Sequence, residues 1–365
     1  MRIAFYAPLK SPNHPVPSGD RLMARLLIRA LQMGPHTVQV ASEFRSFAST
    51  PEAAARVEGE AAFELQRLRA EWSGGNKPDL WFCYHPYYKS VDPFGPVLCA
   101  EFGIPLITAE ASYSPKRERT DWAPYQARIG AMVKDAAVNI GFTRRDREGL
   151  ERAIPEAHIA ALAPFIDTAA FEGIQPVPEP TRLITVAMMR AGDKMQSYAM
   201  LAEALATIRD KPWTLAIVGD GPMRGEVERL FATFEPGRID WLGERGADDI
   251  VQDLGRSGIY VWPGCGEAYG LAYLEAQAAG LPVVAQNTAG VPEVVQPGLT
   301  GLLTAEGDIA AYASAISGLL DDASKRTDMA NAARSFVLAE RSLGIAANAI
   351  NANLCRYIGK NDDGS

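Results

Sequence analysis

Glu267 and Glu275, with seven residues between them, and the cations Arg190 and Lys194 are the side chains whose types and spacing could do chemistry. The glutamates lie in the run Gly264 to Ala285, where an apolar strand gives way to a glycine-rich loop. A helical pattern follows and stops at Gly280, before Pro282 opens another strand. Glu267 falls in the loop, and Glu275 falls one turn after Leu271 on the same helical face. At about 1.5 Å per helical residue the two are roughly 12 Å apart, about the reach from the ribose to the sugar of a nucleotide sugar. A carboxylate suits both ends, since each can accept hydrogen bonds from two hydroxyls. The first-turn amides at Gly270 and Leu271 make a ready phosphate site. Arg190 and Lys194 follow another apolar strand and precede a helix, so their charges should project beyond the sheet. There an arginine fork and a compact ammonium could hold a diphosphate and stabilise charge on a departing phosphate. For an isolated glutamate or a lone pair of loop cations, the competing reading is simple solvation.

The first half offers sparser signals. After the first apolar run, Ser18-Gly19-Asp20 opens a helix, but the tight run of three glycines of the dinucleotide fingerprint is absent. That disfavours an NAD-dependent dehydrogenase. Gly19 could let an anion approach the free helix amides, or Gly19 and Asp20 could be ordinary turn and cap residues. His85 ends the third apolar run, in Tyr84-His85-Pro86-Tyr87-Tyr88, where a histidine serves either a ligand or the structure.

The elements that must position these groups are legible as an alternation. Apolar β-rich runs lie near residues 2–7, 37–42, 80–84, 106–110, 137–142 and 159–165, and again near 183–189, 214–219, 239–242, 258–262, 282–286 and 301–304. Helical patterns intervene at 20–33, 51–72, 118–135 and 144–153, then at 195–209, 222–234, 246–256, 269–279 and 308–320, with two more at 324–338 and 342–357. Strand–helix alternation implies parallel sheets covered on both faces. The length of 365 residues predicts about two domains. We therefore expect an α/β chain of two Rossmann-like doubly wound domains facing a cleft: 1–172, a linker at 173–182 around Pro176, Pro178 and Pro180, and 183–340. A C-terminal helix within 341–365 is expected to pack back toward the first domain.

Charge and cysteine usage narrow the function classes. The net charge of −8 argues against a nucleic-acid partner. Residues 1–180 carry 20 basic and 21 acidic side chains and the remainder 16 and 23, so the acidity belongs to the second half. Any phosphate site there must work through a few placed cations and helix-end amides. Cys83, Cys99, Cys265 and Cys355 show neither metal-ligand nor redox spacing, which predicts a reduced, cytoplasmic setting without a disulfide framework. No run approaches the roughly 18 apolar residues of a spanning helix.

The ordered motifs resemble a family. Glu267-x-x-Gly270-Leu271, Glu275-Ala276 and Ala279-Gly280-Leu281-Pro282-Val283-Val284-Ala285 are followed by Ala289-Gly290-Val291-Pro292-Glu293 and Gly298-x-x-Gly301-Leu302. With Arg190 and Lys194, Gly219-Asp220-Gly221-Pro222, Leu242-Gly243 and Pro164-Phe165-Ile166-Asp167 upstream, the set looks like the family 4 retaining glycosyltransferases of the GT-B fold. The resemblance covers essentially the whole chain, strongly in its second half and loosely in its first. It implies that Glu267 contacts the transferred sugar, Glu275 holds the donor ribose, and Arg190 and Lys194 neutralise the diphosphate. Gly270, Leu271, Gly19, Gly219 and Gly243 would line the donor site. It also implies a nucleotide-sugar co-substrate, UDP-, GDP- or ADP-linked, with no metal and no other cofactor.

The departures fall mostly in the first half. Thr108-Ala109-Glu110 places a carboxylate where many relatives carry a histidine, which points to Glu110, Ser112 and His85 as acceptor contacts. The acceptor is expected to be a glycan, a lipid-linked glycan or a small molecule. Basic clusters at Lys116, Arg117 and Arg119, at Arg144, Arg145 and Arg147, and along Arg21, Arg25 and Arg29 read as solvated faces, with an anionic acceptor or peripheral membrane contact as the functional alternative. Sugar-nucleotide epimerisation, phosphorolysis and non-catalytic donor binding are the alternative functions.

Overall fold

The computed structural model describes residues Met1–Gly359, and the chain divides into two units. The first comprises Met1–Ala163 and the segment from Leu343 onward; the second is Pro164–Ser342. The boundary therefore precedes the proline-rich stretch expected as a linker. That stretch lies along the second unit: the Val177 and Glu179 amides donate to the carbonyls of Gly255 and Arg256. Prolines stop a segment from joining a helix or sheet but leave the other amides able to bond to a neighbouring surface.

In the first unit β1 (Arg2–Tyr6), α1 (Gly19–Gln32), β2 (Thr37–Val40), α2 (Pro51–Glu71), β3 (Leu80–Tyr84), α3 (Gly95–Phe102) and β4 (Leu106–Ala109) follow in order. They continue with α4 (Ala123–Asp135), β5 (Val138–Gly141), α5 (Arg144–Ala153) and β6 (Ile159–Ala161). All pairings are parallel, in the order β2-β1-β3-β4-β5-β6. β1, β3, β4 and β5 are buried almost throughout, as strands covered on both faces must be.

Periodicity did not reveal α3. Its eight residues follow Asp92, a buried carboxylate that accepts from the Phe94 and Gly95 amides and from Trp81 Nε1 at 2.8–2.9 Å. A side chain from the preceding loop, bonded to a tryptophan of β3, starts this helix. Around it Tyr6, Trp72, Trp81, Phe94 and Leu98 form a buried apolar cluster.

The second unit begins with α6 (Ala169–Glu172) and runs through β7 (Arg182–Val186), α7 (Asp193–Thr207), β8 (Thr214–Val218), α8 (Arg224–Phe231), β9 (Ile239–Gly243) and α9 (Ala247–Gly255). It then crosses to β10 (Ile259–Val261), α10 (Leu271–Ala278), β11 (Val283–Gln286), α11 (Val291–Val294), β12 (Gly301–Thr304), α12 (Ile309–Asp321) and α13 (Ala323–Glu340). Its parallel sheet has the order β12-β11-β10-β7-β8-β9. The final helix, α14 (Leu343–Tyr357), belongs to the first unit and packs on α1. There His36 Nε2 lies 2.8 Å from Asn351 Oδ1.

The two sheets thus share a plan but differ in order. In each, the chain lays strands outward on one side of its first strand and then switches to the other. The switch lies between β1 and β3 in the first sheet and between β7 and β10 in the second, the positions beyond which open α/β sheets bind ligands.

Beyond β7 and β8 the backbones meet closely. Gly219 has φ of 139°, its amide donates to the Gly243 carbonyl at 2.7 Å, and a Cβ there would overlap the Ala187 carbonyl. Gly219→Ala should therefore lose about 1–3 kcal/mol of stability, read as a lower urea midpoint at unchanged slope. Gly225→Ala, in α8 with open space around its Cβ, should leave the midpoint level or raise it.

Candidate active site

In the second unit the switch point carries the cationic and acidic residues singled out by spacing. Lys194 is the second residue of α7, which follows β7, and Glu267 lies in the loop after β10. Lys194 Nζ donates to Glu267 Oε2 at 2.6 Å and stands 5.4 Å from the centre of the Trp262 ring. The loop is tied to α7 at a second point, where the Cys265 amide donates to Ser197 Oγ at 2.9 Å. Ser197 in turn donates to the Asp193 carbonyl. The Gly290 amide reaches the Ala268 carbonyl at 2.6 Å, bringing the loop after β11 alongside.

Gly270 caps α10 with φ of 78°, a conformation that costs glycine little, and a Cβ at this position would crowd Tyr273 at 2.6 Å. Leu271 is therefore the first helical residue, two positions later than the sequence pattern suggested. Gly243 ends β9 with φ of 68°.

Glu275 keeps part of its surface exposed, yet burial pushes its carboxyl up to about 7. Its charge and that of Glu267 both act on the buried Tyr260 phenol beneath the loop; burial is the main cause raising that phenol, and the two carboxylates add to it. Arg190 is exposed on the loop between β7 and α7. Lys194 and Glu267 are thus joined directly, while Glu275 lies on α10 and Arg190 on the β7–α7 loop.

The first unit shows a counterpart of which residue spacing revealed only a part. Asp20 is the second residue of α1, which follows β1, and its Oδ1 lies 3.0 Å from Nδ1 of His85, just past β3. His85 and Glu110, which directly follows β4, both have left-handed backbones, with φ of 59° and 54°. Such conformations cost a non-glycine residue of order 1–3 kcal/mol and cluster at functional sites.

Burial pushes the Glu110 carboxyl up to about 7; His85 and a Tyr84 hydrogen bond oppose the rise, while Asp20 and Asp146 add to it. Burial alone would lower the His85 imidazole, but the Asp20 hydrogen bond and the charges of Glu110, Asp20 and Asp146 raise it. Burial would raise Asp20, and the His85 bond holds it below the usual range instead.

Ser112 is exposed, and its amide ties the loop after β4 to the Pro86 carbonyl. Gly19 begins α1 behind the Ser18 cap and has open space around its Cβ, so no crowding demands a glycine there. Asp20, read only as a cap residue, and Asp146 on α5 were missed. The available signal was that both lie in the first turn of the helix that follows a strand.

Several other features bear on the site. A cavity of about 680 Å³ lies away from these strand ends, lined by residues of β1, β2 and α2 such as Gln39, Glu64 and Arg67, together with Trp72. None of the residues singled out from the sequence lines it. All four cysteines are free; Cys83 and Cys99 are buried, Cys265 is partly covered and Cys355 is exposed. Among the described residues no helix is long and apolar enough to cross a membrane.

With this geometry the fold is GT-B. The family described as Glycosyl transferases group 1 matches residues 180–322, all within the second unit. Sucrose-phosphate synthase from Thermosynechococcus elongatus has a similar fold, with a TM-score of 0.75 at 17% identity over 98% of this chain and 99% of that one. So does Anabaena Alr3699/HepE in complex with UDP-glucose, with a TM-score of 0.71 at 16% identity over 98% of this chain and 100% of that one. In sequence the chain is 37% identical over 135 residues to a Corynebacterium glutamicum GDP-mannose-dependent monoacylated alpha-(1-6)-phosphatidylinositol monomannoside mannosyltransferase. That match covers 35% of each protein. The chain spans between about a quarter and a third of the length of several curated relatives it matches.

Burial keeps the Glu275 carboxyl protonated to a higher pH in the folded chain than in an unfolded one. Its contribution to stability is therefore complete below about pH 4.5 and lost as pH rises through about 7. Glu275→Gln should make the fall in thermal midpoint between pH 5 and pH 8 shallower than in the parent chain; an unchanged slope would refute the burial account.

Proposed function

We propose that the chain is a retaining glycosyltransferase that moves a sugar from a nucleoside-diphosphate sugar to a glycan, lipid-linked or small-molecule acceptor. The observation that carries this reading is the Lys194–Glu267 pair at the switch point of the second sheet, inside the segment matched by the family. The names of similar proteins support a nucleotide-sugar donor, since one is bound to UDP-glucose and another depends on GDP-mannose.

Each role follows from chemistry. Arg190 and Lys194 neutralise the diphosphate, and the α10 amides at Gly270 and Leu271 add hydrogen bonds that strengthen as phosphate charge grows. Glu267 accepts from hydroxyls of the transferred sugar and Glu275 from the ribose. As the anomeric carbon parts from the phosphate oxygen, the acceptor oxygen bonds to that carbon on the same face, and the released phosphate oxygen takes the acceptor proton. This route needs neither a protein base nor a resident metal, because the two cations take the phosphate charge. Gly19, Gly219 and Gly243 line the donor side. His85, Glu110 and Ser112 contact the acceptor, with Asp20 fixing the imidazole. The free thiols fit a cytoplasmic setting, and the basic clusters would serve any contact with a membrane-borne acceptor.

A thermal-shift screen of UDP-, GDP- and ADP-sugars should find one that raises the midpoint in proportion to occupancy. Arg190→Ala, Lys194→Ala and Glu267→Gln should each cut transfer by about a hundredfold or more while the fold persists. Unchanged turnover in all three would overturn the site. His85→Ala should raise the KM for the acceptor and leave that for the donor level, which steady-state kinetics with each substrate varied in turn would read.

A further inference from the structure

Lys194 and Glu267 are assigned to opposite ends of the same donor, yet their side chains are bonded to each other at 2.6 Å. The ammonium that would grip the diphosphate already has a carboxylate on it, and the carboxylate that would grip the sugar already has a cation. Each partner is about a fifth to a third exposed, so the pair is neither sealed in the core nor fully screened by water. The ammonium stands over the Trp262 ring, and the loop carrying Glu267 is anchored to α7 through Cys265 and Ser197. Both side chains are thus delivered to one spot by elements pinned together.

From this geometry we infer that Glu267 is a specificity-determining residue that makes the site favour a nucleotide sugar over a bare nucleoside diphosphate, by competing with the diphosphate for Lys194. The inference rests on the donor reading above and deepens it. A bare nucleoside diphosphate must draw Lys194 from Glu267 and leave that carboxylate without a partner. A nucleotide sugar takes Lys194 with its phosphate and offers Glu267 the sugar hydroxyls in exchange, so both groups stay satisfied. Discrimination therefore comes from a cost imposed on the ligand that lacks the sugar. Once the sugar has been transferred, the same exchange runs in reverse: Glu267 regains Lys194 and weakens the hold on the nucleoside diphosphate that remains.

The test uses the full chain and free UDP, GDP and ADP, with affinities from isothermal titration. The nucleotide that binds the parent chain should bind Glu267→Gln about two- to fivefold more tightly, the range a partly exposed ion pair commands. In a Lys194→Ala background the same Glu267→Gln change should bring no gain, because the competition acts through the ammonium. Equal affinity of the parent and Glu267→Gln would overturn the inference, as would a gain that persists without Lys194, which would mark simple relief of charge repulsion. If none of the three nucleotides binds the parent chain, the donor reading itself fails and this inference falls with it.

Discussion

The structure depends on one constraint of parallel sheets: where strand order reverses, the loops leaving two adjacent strands diverge and leave their ends open. A bonded pair of charged or titratable side chains sits at each of the two such points in this chain. In the second sheet the pair Lys194–Glu267 spans β7 and β10, and in the first the pair Asp20–His85 spans β1 and β3. The correspondence is close. Asp20 and Lys194 are each the second residue of the helix that follows the first strand of their sheet, and His85 and Glu267 each come from the strand across the switch. The charge sense is reversed, with an acid on the helix in the first unit and a base in the second.

That reversal fits the division of charge along the chain. The second half is acidic, so Arg190 and Lys194 stand there as individually placed cations rather than as part of a positive field. The first half is near neutral. Its strand-end group packs an imidazole among Asp20, Glu110 and Asp146; burial, with the neighbouring acids adding to it, lifts Glu110 to about 7. Two left-handed residues on adjacent strand ends, His85 and Glu110, hold those side chains in place at a backbone cost that ordinary packing would not select.

Much of the scaffold was readable before any coordinate, because strands buried on both faces must be written as short apolar runs. All twelve appear in the structure within a few residues of where those runs lie. Three helices escaped: the four-residue α6 and α11, too short for a period to show, and α3, whose start is set by Asp92 bonding to Trp81 across a loop, a long-range cue that no local pattern contains. The domain boundary escaped for a related reason: prolines mark where regular structure stops, while the unit a segment joins is decided by which carbonyls its amides find.

The sequence by itself determined the alternation of elements, the positions of Glu267, Glu275, Arg190 and Lys194, and the glycines that turn the chain around them. Those are properties of residue type and spacing, and they survive in one dimension. Only the tertiary structure decided which groups meet. That Lys194 bonds to Glu267, 73 positions away, and His85 to Asp20, 65 positions away, follows from strand order, in which β10 lies beside β7 and β3 beside β1. The order of strands in a sheet is set by packing across the whole unit, so the pairing of charges at its ends could be seen only once the sheet was built.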